Sequence, residues 1–109
     1  MRKYQLRTYR LRTEAAAAIY LPHWVLHVKS LKLFGVETHA FFSVPSAPQT
    51  VVALISFDEH ADPEAVTRAY MESDAFKQDM RGFDVGQIEG VETLLLKPGE
   101  GSPQTWGIA

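Results

Sequence analysis

The chain has 109 residues, a formal net charge of -2 and no cysteine. That length supports one hydrophobic core, and the missing thiol excludes disulfides, thiolate nucleophiles and sulfur-ligated zinc. The 11 basic and 13 acidic residues are interspersed, which argues against the concentrated positive surface that nucleic acid requires, and no apolar stretch approaches the roughly 20 residues of a membrane span.

The opening Met-Arg-Lys-Tyr leads directly into a strand pattern rather than a targeting segment, so the expectation is a cytoplasmic protein with neither membrane nor nucleic-acid partner. Residues 3 to 12 alternate, with Tyr4, Leu6 and Thr8 on one side and Gln5, Arg7 and Tyr9 on the other, a first strand. Thr13, Glu14 and the run Ala15 to Ala18 supply an N-cap, an acid for the first turn and strong helix formers. The helix they start is expected to reach Gly35, with a kink or restart at Pro22. From Val36 to Val44 the period is two, Pro45-Ser-Ala-Pro48 is a turn, and Thr50 to Phe57 completes a hairpin. Asp62 before Pro63 caps a second helix running to about Met71. Ser73 and Asp74 start a short one through Met80, ended by Gly82, and residues 87 to 97 are the last strand, closing at Pro98.

This β-α-β-β-α-β order is the ferredoxin-like α+β unit: a four-stranded antiparallel sheet with its helices on one face. It occupies residues 1–98 as a single domain, with a tail over 99–109 in which Trp106 is a candidate for docking on a neighbour. The face away from the helices is expected to carry Tyr9, Phe41, Val52 and Leu54, too apolar to be left in water. A homodimer joined through that sheet face would cover it.

Several stretches carry a family resemblance. Tyr4-Gln-Leu-Arg-Thr-Tyr9 resembles the opening strand of NIPSNAP proteins; Leu33-Phe-Gly-Val36, Tyr70-Met-Glu-Ser-Asp74 leading to Phe76, and Gly90-Val-Glu-Thr-Leu-Leu-Leu-Lys-Pro98 resemble the family's later joints and last strand. The resemblance implies a dimeric α+β barrel, two sheets face to face, with a ligand cavity between each sheet and its own helices or at the barrel mouth. That group spans cofactor-free oxygenases, cyclases, isomerases, haem-binding enzymes and stress-response proteins, so fold does not fix function.

The candidate chemistry rests on few residues. His23 and His27 stand four apart, on one side of an unbroken helix, the spacing that can hold a metal or haem iron. No third ligand is set by spacing, and the neighbouring Trp24 makes packing an equal reading, so no metal and no cofactor is assigned. His39 shares a strand face with Glu37 and Phe41, and in a cavity it would suit proton removal from an enolisable carbon. Arg7 and Tyr9 share a face of a central strand. One reading has Arg7 holding a substrate carboxylate or enolate while Tyr9 donates to an oxyanion; the other has Arg7 paired with Glu37, Glu89 or Glu92 across the dimer.

The expected site therefore has His39, His23 and Tyr9 as catalytic groups, with Arg7, Phe41, Trp24, His27 and Glu37 around an apolar, oxygen-bearing ligand. The expected function is proton transfer, cyclisation or isomerisation without a cofactor. A non-catalytic binding or stress-response module and a haem-binding or monooxygenase-like protein are the alternatives.

Overall fold

The structure, a computed structural model, describes residues 2–103, so the expectation for Trp106 lies outside the described residues. Its elements are β1 (Lys3–Leu11), α1 (Glu14–Tyr20), a 3-10 turn (Leu21–His23), α2 (Trp24–Lys32), β2 (Glu37–Ser43), β3 (Thr50–Phe57), α3 (Pro63–Met71), α4 (Asp74–Asp79), a second 3-10 turn (Val85–Gln87) and β4 (Ile88–Leu96). The strands form one antiparallel sheet in the order β2-β3-β1-β4, the ferredoxin-like arrangement. No helix among the described residues is long and apolar enough to cross a membrane.

Local chemistry places the helix boundaries. Thr13 Oγ1 accepts from the Ala16 amide at 2.9 Å, Asp62 Oδ1 from Glu64 at 3.1 Å and Ser73 Oγ from Phe76 at 3.2 Å, so each cap satisfies an amide that the first turn leaves unpaired. Pro22 has no amide hydrogen and cannot sit inside an α-helix. The expected long first helix is accordingly two helices joined by the Leu21–His23 turn. After α2 the chain reverses at Gly35, whose φ of 77° lies in the left-handed region, while the Val36 amide reaches back to Leu31 O at 3.0 Å.

Burial separates the two sheet faces. Tyr9 and Leu11 of β1 lie with Val51, Ala53, Ile55 and Phe57 of β3 under the helices, sealed by Tyr20, Trp24, Leu31 and Tyr70. Cα partners in an antiparallel pair share a face. Tyr9 pairs with Val51, and Phe41 with Ala53, so both belong to the helix-covered side.

This corrects the expectation that Tyr9 and Phe41 join Val52 and Leu54 on the uncovered face. Val52 pairs with Thr8 and Phe42, and Leu54 with Leu6 and Ala40, and these do lie there. Alternation alone divides a strand into two sides without saying which side the helices take. For β2 there is a second cause: the register slips between Thr38 and Ala40, inserting His39 as an extra residue. Glu37 and His39 therefore lie on the uncovered side, opposite to Phe41, and the expected trio is split.

Because no heavy atom lies within 4 Å of where a Gly35 Cβ would sit, Gly35→Ala would meet only backbone strain. A loss of about 1–2 kcal/mol is expected, read as a lower urea midpoint with an unchanged slope.

Candidate functional site

The helices do not close completely over the sheet. Between them lies a cavity of about 170 Å³, whose walls include Arg7, Tyr9, Tyr20, Trp24, His27 and Tyr70, with aliphatic and aromatic carbon making up most of the rest. β1 supplies Arg7 and Tyr9 from below, α1 ends at Tyr20, α2 contributes Trp24 and His27 one turn apart, and α3 contributes Tyr70. The volume matters: an apolar cavity of roughly 150 Å³ can hold a benzene ring.

The polar groups in the roof form a continuous chain. Tyr70 O–H donates to Asp79 Oδ2 at 2.7 Å, and Ser30 Oγ donates to Asp79 Oδ1 at 3.0 Å. His27 Nδ1 lies 2.5 Å from the Tyr70 oxygen and 3.4 Å from Asp79 Oδ2. A phenol has a single proton, and Tyr70 gives its proton to the carboxylate, so the proton between Tyr70 and the imidazole sits on Nδ1. Nε2 is then the bare lone pair. It faces the Tyr20 hydroxyl at 3.5 Å, too long for a strong hydrogen bond.

Burial dominates the electrostatics. His27 is 2% exposed, and desolvation holds its pKa below the ordinary 6.5, outweighing the opposing pull of the Asp79 hydrogen bond and charge. Desolvation also raises the phenols of Tyr20 and Tyr70, so both remain protonated donors. Trp24 is buried too, and among the described residues its Nε1–H meets no acceptor at hydrogen-bond geometry, although it lies close enough to the Tyr20 oxygen to pull that phenol's pKa down against the larger effect of burial. An imidazole, two protonated phenols and a buried indole N–H thus border one mostly apolar space.

The expected site residues fall into two groups. Arg7, Tyr9, Trp24 and His27 line this cavity together. Phe41 packs against Trp24, ring centroids 6.3 Å apart, and does not itself line the cavity. His39 is elsewhere: its Nε2 meets Ser56 Oγ at 2.7 Å and its ring lies against Tyr4, on the uncovered sheet face. Glu37 is there as well, 4.0 Å from Arg2.

His23 is in the 3-10 turn, its Nδ1 3.1 Å from Ile19 O and its ring against Phe83, and it does not line the cavity. His23 caps α2 with helical backbone angles, so the turn at Pro22 does not lie between it and His27, but each imidazole has its own partners. Arg7 gives its Nε–H to Tyr9 Oη at 2.8 Å and an Nη1–H to Gln5 Oε1 at 3.2 Å, with no carboxylate beside it among the described residues. Asp79, Tyr70 and Ser30 did not emerge from the sequence, where no spacing connects them to His27.

An antiparallel β2-β3-β1-β4 sheet roofed by helices around a small cavity defines the class: a ferredoxin-like α+β domain with a ligand-sized space between its layers. The sequence matches the NIPSNAP family over residues 4–103, and the chain belongs to that family.

Solved structures agree in fold. The Agrobacterium tumefaciens protein Atu4242 is 23% identical, with a TM-score of 0.72 over 93% of this chain and 97% of that one. A NIPSNAP domain protein from Burkholderia xenovorans is 16% identical, with a TM-score of 0.73 over 94% and 99%. A candidate antibiotic biosynthesis monooxygenase from Bacteroides thetaiotaomicron is 17% identical, with a TM-score of 0.62 over 89% of each chain. At such identities the likeness is one of fold. Among curated proteins, none matches the sequence.

The depressed His27 pKa fixes the sign of a stability change. Below about 6.5 the unfolded chain binds a proton at this position that the folded chain refuses, so stability is complete above that pH and declines as pH falls through it. Urea midpoints measured from pH 7.5 to 5.5 are expected to fall, and to fall less steeply in His27→Gln.

Proposed function

We propose that the space between sheet and helices binds a small apolar molecule bearing a carbonyl or phenol oxygen, and that His27 moves a proton on it. The observation that carries this reading is the placing of the imidazole: Nδ1 lies against Tyr70 and Asp79 and His27 lines an apolar cavity, an arrangement whose favoured tautomer leaves Nε2 as the base. A carboxylate that fixes the tautomer of a histidine and stabilises its cation is a recurrent device for general bases.

The chemistry follows from these positions. His27 Nε2 takes a proton from the carbon next to the carbonyl, the electron pair moves onto the oxygen, and the Tyr20 O–H or Trp24 N–H donates to the resulting enolate. Returning the proton to the same or another carbon gives exchange or isomerisation; attack of the enolate on a second carbonyl gives cyclisation. Neither His39 nor His23 enters this scheme. The lowered pKa of His27 keeps it in the base form at neutral pH.

We extend the proposal to the assembly. The uncovered face presents Leu6, Val52 and Leu54 together with Phe42, Leu94 and Leu96, the last three 45%, 58% and 39% exposed. Contiguous apolar area of this kind favours association, and a second copy packed sheet to sheet would remove it from water. The cavity lies on the other face, so each subunit would keep a complete site.

The proton-transfer reading is tested with acetophenone in D2O. Titration is expected to shift NMR signals of Trp24 and Tyr20, and the methyl protons should exchange faster than in buffer, by a factor that drops about 100-fold in His27→Gln. Binding with exchange no faster than buffer would remove catalysis and leave a binding protein. No shift at Trp24 or Tyr20 with any small aryl ketone would remove the cavity as a site.

A further inference from the structure

The cavity is not sealed on every side. A wider groove, lined among others by Gln5, Thr67, Arg68 and Thr93, runs between α3 and β4 and shares Arg7, Thr67, Met71 and Val91 with the cavity. These four residues are its mouth. The opening exists because no helix among the described residues covers β4: Val91 and Thr93 face the helix side, paired with Tyr9 and Arg7, yet both are exposed.

Arg7 is unusual at this mouth. Its guanidinium is half-buried and, among the described residues, hydrogen-bonded to neutral groups, the Tyr9 phenol oxygen and the Gln5 amide oxygen, while its Cζ sits 5.4 Å from the centre of the Tyr9 ring. A partly desolvated cation is costly without an anion, and among the described residues no carboxylate of the chain pairs with it. Farther out, Arg68 lies among Glu64 and Glu72, so the outer groove has no excess of positive charge. The uncompensated charge is at the lip.

From this geometry we infer that the ligand is a carboxylate with an apolar, ring-sized body: the body fills the cavity beside Trp24 and Tyr20, and the carboxylate meets Arg7 where cavity and groove join. The inference rests on the cavity being the binding site, and it adds the charge and orientation of what binds there. A guanidinium already held at Nε and Nη1 is preorganised, so an arriving carboxylate orders little further side chain. A ligand longer than the cavity would continue past Arg7 along the groove, over Thr67 and Thr93. The reacting carbon of such a ligand lies at its inner end, toward His27.

Calorimetric titration of 3-phenylpropanoate and its primary amide, which share a body and differ in charge, tests this. The acid is expected to bind at least about tenfold more tightly, as a charge-assisted hydrogen bond warrants. Arg7→Gln should abolish that preference while leaving the amide's affinity within about twofold, and Arg7→Lys should restore part of it. Equal affinity of acid and amide for the unmodified protein would overturn the inference, and needs no variant to fold. An Arg7→Gln protein that loses acid and amide equally would overturn it too, since Arg7 would then serve only to support Tyr9. If neither compound binds but a neutral ketone does, the carboxylate is wrong and the cavity stands; if nothing binds, the cavity itself is wrong.

Discussion

A single buried carboxylate ties the helical layer together. Asp79, in the last turn of α4, is 7% exposed and accepts from Tyr70 of α3 and from Ser30 of α2, with His27 of α2 against the same oxygen as Tyr70. An ionised carboxylate in such surroundings is tolerable only when its lone pairs are occupied. The donors come from two other helices, so satisfying Asp79 fixes how α2, α3 and α4 sit above the sheet. Removing one partner would leave a buried polar group unsatisfied, a loss of roughly 1–3 kcal/mol.

The same constraint produces the site. Holding Nδ1 of His27 toward Asp79 and Tyr70 turns Nε2 the other way, against Tyr20 and the cavity wall. The aromatic layer around it is dense: Trp24 meets His27 edge-on, Phe76 stacks on it, and Tyr9 lies against both Tyr20 and Trp24. These rings exclude water, which keeps the imidazole neutral and makes every donor in the space more effective. Structure and chemistry are therefore coupled through one network, and substitutions in it are expected to move stability and ligand binding together.

Much of the architecture is legible in the residues. Period-two alternation marks the strands, Thr13, Asp62 and Ser73 mark helix starts by chemistry that the caps then use, and Gly35 and Gly82 stand where positive φ is needed. Pro22 announces the break between α1 and α2, which the 3-10 turn Leu21–His23 realises. The candidate site was legible in part. Arg7, Tyr9, Trp24 and His27 could be picked out because each combines a polar tip with a position in a regular element. The shared face of His39 and Phe41 was misread because one inserted residue in β2 changes which side its neighbours face, and nothing in the letters signals a bulge. Asp79 was silent for another reason: an acid in a short polar helix reads as solvated, and its partners lie 9, 49 and 52 residues away.

The state of the His27 ring is the point on which all of this turns, and long-range 1H–15N correlation NMR reads it directly. A proton on Nδ1, a bare Nε2, and a ring that stays neutral when the pH falls below about 6.5, where an ordinary histidine is half protonated, are expected. A ring protonated on Nε2 instead, or one that titrates like a histidine in water, would mean that Asp79 does not hold it and that no base is aimed into the cavity.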